Sequence, residues 1–104
     1  MITIYKYQIE PCSFEPNLIM MPVSSAIISC GVDGNNVPCI WVLLDTDEQE
    51  RGMMVTKKIW CVGTGWDLSP MFNGQVPGYN KIGTIKENVY IWHVFEEGMP
   101  EGGL

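Results

Sequence analysis

The sequence predicts an all-β domain: a small antiparallel two-layer sandwich, or a partly open barrel, of about six to seven strands. Three observations predict it. Runs of β-branched and aromatic residues recur along the chain, separated by Gly, Pro, Asn and Asp turn signals. No stretch has the spacing of an amphipathic helix, and Asp67-Leu68-Ser69-Pro70-Met71-Phe72 offers a single turn at most. A length of 104 residues, 46% hydrophobic and 17% charged, suits one folded domain with one core.

In order, residues 2–9 form a first strand and 11–16, with two prolines, a turn. Residues 17–21 make a short edge strand that Pro22 ends. Strands over 26–32 and 37–45 flank Asp33-Gly34-Asn35-Asn36, whose residues tolerate left-handed backbone angles, so they form a hairpin. Residues 45–52 are acidic and polar and read as a solvated turn. A long strand follows over 53–62, then the longest irregular stretch, 63–80; loops of that length tend to carry function or to be disordered. Strands over 81–85 and 89–96 form a second hairpin around Lys86-Glu87-Asn88. Residues 1–97 are read as a single β domain and 98–104, with three glycines and a proline, as a flexible tail.

Two strands break the usual alternation of apolar and polar residues. Residues 37–44 are apolar on both faces apart from Pro38. In residues 89–95 one face carries Val89, Ile91, His93 and Phe95, and the other Tyr90, Trp92 and Val94. A two-layer β fold covers only one face of each sheet, and this chain has no helices to cover the second. Either another subunit or the long loop must do so. The expectation is a homo-oligomer, with a monomer covered by its own loop as the alternative.

Twelve acidic residues against six basic ones leave a net charge of −6, which repels duplex nucleic acid. The N-terminus lacks the pattern of a signal peptide and no apolar run reaches the length of a membrane span, so neither export nor membrane insertion is expected. Cys12, Cys30, Cys39 and Cys61 form no Cys-x-x-Cys pair and suit buried thiols more than a disulfide framework or a zinc site.

Candidate ligand-binding residues cluster after the long strand. Gly63-Thr64-Gly65-Trp66 lets the backbone approach a ligand, with N–H groups near Thr64 and Gly65 able to hold phosphate and Trp66 or Tyr79 able to stack on a base. A plain glycine turn with Trp66 as packing accounts for the same residues. Lys57 and Lys58 point to opposite faces, so only Lys58 is assigned to the site, where it adds positive charge; a solvated edge position is the other reading. His93, the single histidine, reads as a hydrogen-bonded core residue more readily than as a base, and no nucleophile or carboxylate motif accompanies it. Neither a catalytic set nor a metal or cofactor site is expected.

The segments Ile4-Tyr5-Lys6-Tyr7, Val37-Pro38-Cys39-Ile40-Trp41, Val62-Gly63-Thr64-Gly65, Ile82-Gly83-Thr84-Ile85 and Val89-Tyr90-Ile91-Trp92-His93-Val94-Phe95 resemble a family of small uncharacterised phage and prophage proteins. The resemblance spans nearly the whole chain; the 66–80 segment and the extra methionines depart from it. It implies a short helix-poor β domain acting during infection in the host bacterial cytoplasm. Among small phage accessory proteins, a recurring class counters host defence, and some of those sequester a nucleotide immune signal without cleaving it. The resemblance therefore implies an oligomeric sponge for a cyclic nucleotide or an ADP-ribose-like molecule. An acidic protein-binding inhibitor of a host defence protein, or a phage assembly factor, stands beside it, and an enzyme using His93 comes third.

Overall fold

Seven strands appear in the computed structural model, which describes residues 1–98: β1 (Ile2–Gln8), β2 (Asn17–Pro22), β3 (Ala26–Val32), β4 (Pro38–Asp45), β5 (Met54–Gly63), β6 (Tyr79–Glu87) and β7 (Tyr90–Glu97). They form two antiparallel sheets, with orders β1-β4-β3 and β2-β5-β7-β6, that pack as a sandwich and do not close into a barrel. The expected tail lies, apart from Gly98, outside the described residues. The body is flat, 40 × 39 × 18 Å, as two sheets about 10 Å apart require.

Alternation decides what enters the core. Ile40, Val42 and Leu44 of β4 point inward and meet Ile19 and Met21 of β2, Ile59 and Cys61 of β5, Ile85 of β6, and Trp92 and Val94 of β7. At one side of the sandwich β3 and β6 run close together. Gly83 makes this approach, beside a register shift in β6: its φ is +156°, and a Cβ there would lie 3.0 Å from Cys30 Sγ. At the other side β1 and β2 are the outermost strands.

The two-faced strands resolve differently in the two sheets. Trp60 and Val62 of β5 turn away from the core, yet both are buried; over Trp60 the segment 64–78 folds back and sets Phe72 on the indole. Among the described residues the outer face of the three-stranded sheet has no such cover: Ile2 and Ile4 of β1, Leu43 of β4 and Ile28 of β3 are exposed. The loop that could cover a monomer thus covers only the part of one apolar face around Trp60; Leu18 and Met20 of β2 and Ile91 of β7, on that same face, are exposed.

The acidic stretch read as a solvated turn is instead a short helix, α1 (Thr46–Glu50). The Asp45 carboxylate caps it by accepting the Asp47 N–H at 3.0 Å, and Asp47 and Glu48 sit in the first turn, where the helix dipole favours them. One helical turn and a solvated turn share the same composition, and none of its residues is buried. The second hairpin is longer than expected: β6 runs on to Glu87 and only Asn88, with φ +54°, and Val89 lie between the strands. All four cysteines are free thiols; Cys39 and Cys61 are buried, and burial pushes the Cys61 thiol up to about 12. Among the described residues no helix is long and apolar enough to cross a membrane.

The first hairpin is organised by Asp33. Its carboxylate accepts the N–H groups of Asn35 (2.8 Å) and Val37 (3.1 Å), and the Lys6 ammonium of β1 donates to it at 2.9 Å. Lys6 and the two backbone donors hold this carboxyl down at about 2, below its ordinary value of 3.8. A group depressed on folding adds stability above its unfolded pKa and loses it as pH falls through its folded pKa. Asp33→Asn is therefore expected to melt below the native chain at neutral pH. In thermal unfolding across pH, that gap closes between about pH 4 and pH 2.

Candidate functional site

The cover over the four-stranded sheet begins with a tight turn. The Trp66 N–H donates to the Gly63 carbonyl at 3.3 Å, and Gly65 sits at φ +84° in the position that needs a glycine. A Cβ on Gly63 would lie 2.9 Å from the Trp66 ring, so the absent side chain is what lets the indole lie against the strand. Trp66 also meets Trp92 edge-on, with ring centroids 5.4 Å apart.

Beyond the turn, the Asp67 carboxylate accepts the Ser69 N–H at 2.9 Å and starts a 3-10 turn, Ser69–Met71. Asn73 (φ +52°) and Gly74 (φ +73°) then reverse the chain, closed by the Gln75 N–H donating to the Phe72 carbonyl at 2.9 Å. This reversal places Phe72 on Trp60, with ring centroids 5.1 Å apart. Trp60 in turn stacks near Phe95 at 6.4 Å and donates its indole N–H to Glu97 Oε1 at 2.8 Å. The chain re-enters the sheet at Tyr79, edge-on to Phe95 at 5.7 Å.

Between loop and sheet lies an open cleft of about 400 Å³, lined by Trp66, Asp67, Leu68, Ser69, Phe72, Gly74, Gln75, Val76, Pro77, Tyr79 and Phe95. That volume falls in the range of small-molecule sites. Four aromatic rings face it, and among the described residues Asp67 is its one carboxylate. The bonds from Ser69 hold that carboxyl below its ordinary value, so it is charged at neutral pH. Lys81 lies just outside: it pairs with Phe95 across the strands and so shares the outer face.

Two of the five residues assigned from sequence, Trp66 and Tyr79, line this one cleft. Thr64 and Gly65 do not. They belong to the turn before it, and the Thr64 hydroxyl shares a 2.7 Å hydrogen bond with His93 Nε2. Lys58 lies on the outer face but lines a separate groove with Thr56, Glu96 and Glu97, and the Glu97 carboxylate stands 4.0 Å from its ammonium. Lys57 points the other way and pairs with Glu96 at 3.1 Å, yet it lines this same groove, so opposite faces do not confine the groove to one lysine as the sequence reading expected. His93 is hydrogen-bonded but exposed rather than in the core, because it points to the outer face beyond the reach of the loop's aromatic cover. Sequence reading missed Phe72, Phe95 and Asp67. The signal for Phe72 was the Asn73-Gly74 pair, two residues at ease with positive φ that turn the chain straight after it.

No curated protein and no solved structure matches the chain. One protein family matches it over residues 1–102. The chain accordingly belongs to that family, a domain of unknown function (DUF7352).

Proposed function

We propose that this chain is a non-catalytic binding protein that sequesters a small ring-bearing ligand of the nucleotide class in the cleft between residues 66–79 and the outer face of the four-stranded sheet. The observation that carries the reading is the convergence of Trp66, Phe72, Tyr79 and Phe95 on one cleft of about 400 Å³. Base–aromatic stacking contributes about 1–3 kcal/mol per base and tolerates any base. The Asp67 carboxylate is an acceptor for the amino or N–H edge of a base and repels phosphate. In this reading the phosphates leave the cleft toward Lys81, not toward the Thr64-Gly65 turn. The setting is that of a phage accessory protein in the host bacterial cytoplasm, countering defence by holding a cyclic nucleotide or an ADP-ribose-like signal intact, as a homo-oligomer.

The exposed apolar face of Ile2, Ile4, Ile28 and Leu43 favours a second reading, an acidic inhibitor of a host defence protein or an assembly factor that docks through that face.

The protein purified from expressing cells is expected to carry a ring-bearing small molecule that appears as extra mass in native mass spectrometry and leaves intact on heating. Trp66→Ala, which removes one stacking face, is expected to weaken retention about tenfold or more. No bound mass, together with no thermal shift from cyclic dinucleotides, cyclic oligonucleotides or ADP-ribose, would sink the reading.

A further inference from the structure

Among the described residues, the backbone N–H and C=O groups along one edge of β1 have no partner strand. The Ile9 N–H donates to the Pro38 carbonyl, and the Thr46 N–H to the Met1 carbonyl. Both bonds fall in the β1–β4 register, in which Ile2 opposes Asp45 and Gln8 opposes Cys39. Odd-numbered residues of β1 therefore exchange bonds with β4, and Ile2, Ile4, Lys6 and Gln8 turn their N–H and C=O groups to the open edge. No described strand pairs there.

Edge strands are normally guarded by proline, by charge or by shortness. Of the other edge strands, β3 and β6 run against each other where the two sheets meet, and β2 has such guards. Pro16 precedes it, and Pro22 ends it without an N–H to offer and with its carbonyl already taken by the Ser25 N–H at 3.0 Å. β1 has no proline. Its one charged side chain is Lys6, whose ammonium is tied down to Asp33 on its own sheet. Its outward residues Ile2 and Ile4 are 67% and 51% exposed.

We propose that this edge pairs with β1 of a second copy, antiparallel about a twofold axis at Tyr5, to make a continuous six-stranded sheet. The inference names the contact surface of the homo-oligomer suggested above and leaves the cleft, on the other sheet, untouched. The register follows from the strand itself. A twofold at Tyr5 sets Ile4 opposite Lys6 and Ile2 opposite Gln8 of the other copy. All four are residues with free edge groups, so about eight backbone bonds form. A twofold at Ile4 makes fewer, and one at Lys6 sets the two ammonium groups against each other. On the inner face the chosen register opposes Tyr5 to Tyr5 and Thr3 to Tyr7. Tyr5 and Tyr7 already meet at 6.4 Å within one copy, so the contact extends an aromatic row. A chain of net charge −6 is thereby joined through a strand that carries no carboxylate.

The test is native mass spectrometry on the full chain at tens of micromolar, with the fold checked by circular dichroism. The native chain is expected to be dimeric or an even-numbered assembly. Ile4→Lys sets like charges opposite each other at two places and is expected to weaken the dimer roughly tenfold or more. Ile4→Glu sets a carboxylate opposite Lys6 and is expected to keep it. Tyr5→Cys is expected to form an interchain disulfide on mild oxidation that the native chain, with its own four thiols, does not form. A monomeric native chain would overturn the proposal. Loss of the dimer in both Ile4 variants would also overturn it, since it would place the contact on the sheet's face, and so would a dimer indifferent to both. Retention of the small ligand is read separately, so a monomer that still carries ligand defeats this inference and not the reading of the cleft.

Discussion

Trp60→Ala is expected to lower the unfolding free energy by about 3–5 kcal/mol, the range for truncating a buried tryptophan. For a domain of this size that is a drop in Tm of roughly 15–30 °C, measured by thermal or denaturant unfolding. Three losses combine. The indole is 1% exposed, so its removal leaves a cavity between sheet and loop. Phe72 loses the ring it rests on, and with it the contact that holds segment 64–78 against the sheet. Glu97 loses the N–H that it accepts at 2.8 Å, leaving a half-buried carboxylate short of a donor. Trp60→Phe separates these effects. It keeps a ring under Phe72 and gives up the hydrogen bond, and is expected to cost about 1–2 kcal/mol. Because Trp60 forms the floor on which Phe72 and Phe95 sit, the alanine variant is also expected to lose ligand retention, whereas Trp66→Ala, at an exposed position, loses retention with little change in Tm.

Gly83→Ala has the second largest expected effect, about 1–3 kcal/mol, by a different mechanism. The residue holds φ +156°, which side-chain-bearing residues rarely adopt, and the new methyl would stand 3.0 Å from Cys30 Sγ, where the two sheets come together. The backbone and the steric parts can be resolved. Adding Cys30→Ala to Gly83→Ala removes the sulfur that is crowded but not the unfavourable φ. The double variant is expected to regain part of the loss in denaturant titrations; full recovery would mean that the backbone angle costs nothing. A small residue here is needed because β6 must bend toward β3, and the register shift between Lys81 and Gly83 is that bend.

Strand positions were legible in the sequence to within a residue or two for β1 to β5, because alternation and turn residues are local signals. The Asp33–Asn36 hairpin was legible for the same reason, as was the two-faced nature of β4 and β7. What Asp33 also does, holding Lys6 from β1, was not legible, since the two residues are far apart in the chain and meet only because β1 and β3 flank β4. Of the site, Trp66 and Tyr79 were found by residue type, and Phe72 and Phe95 were not. Phe95 looked like one more apolar residue of a strand, and Phe72 like one residue of an irregular loop. Only the fold of the loop back onto the sheet makes them neighbours.

By itself, the sequence determined that this chain builds strands, where its hairpins turn, and which residues of each strand share a face. A pleated backbone sends successive side chains to opposite sides, so these properties need no knowledge of distant residues. The tertiary structure decided the rest: that β1 pairs with β4 and β2 with β5, and that segment 64–78 covers the Trp60 region of one outer face while Ile2, Ile4 and Leu43 on the other stay exposed. Among the described residues it also left one edge of β1 without a partner strand. Each of those outcomes depends on contacts between residues remote in sequence, whose energies decide among arrangements that share the same local pattern.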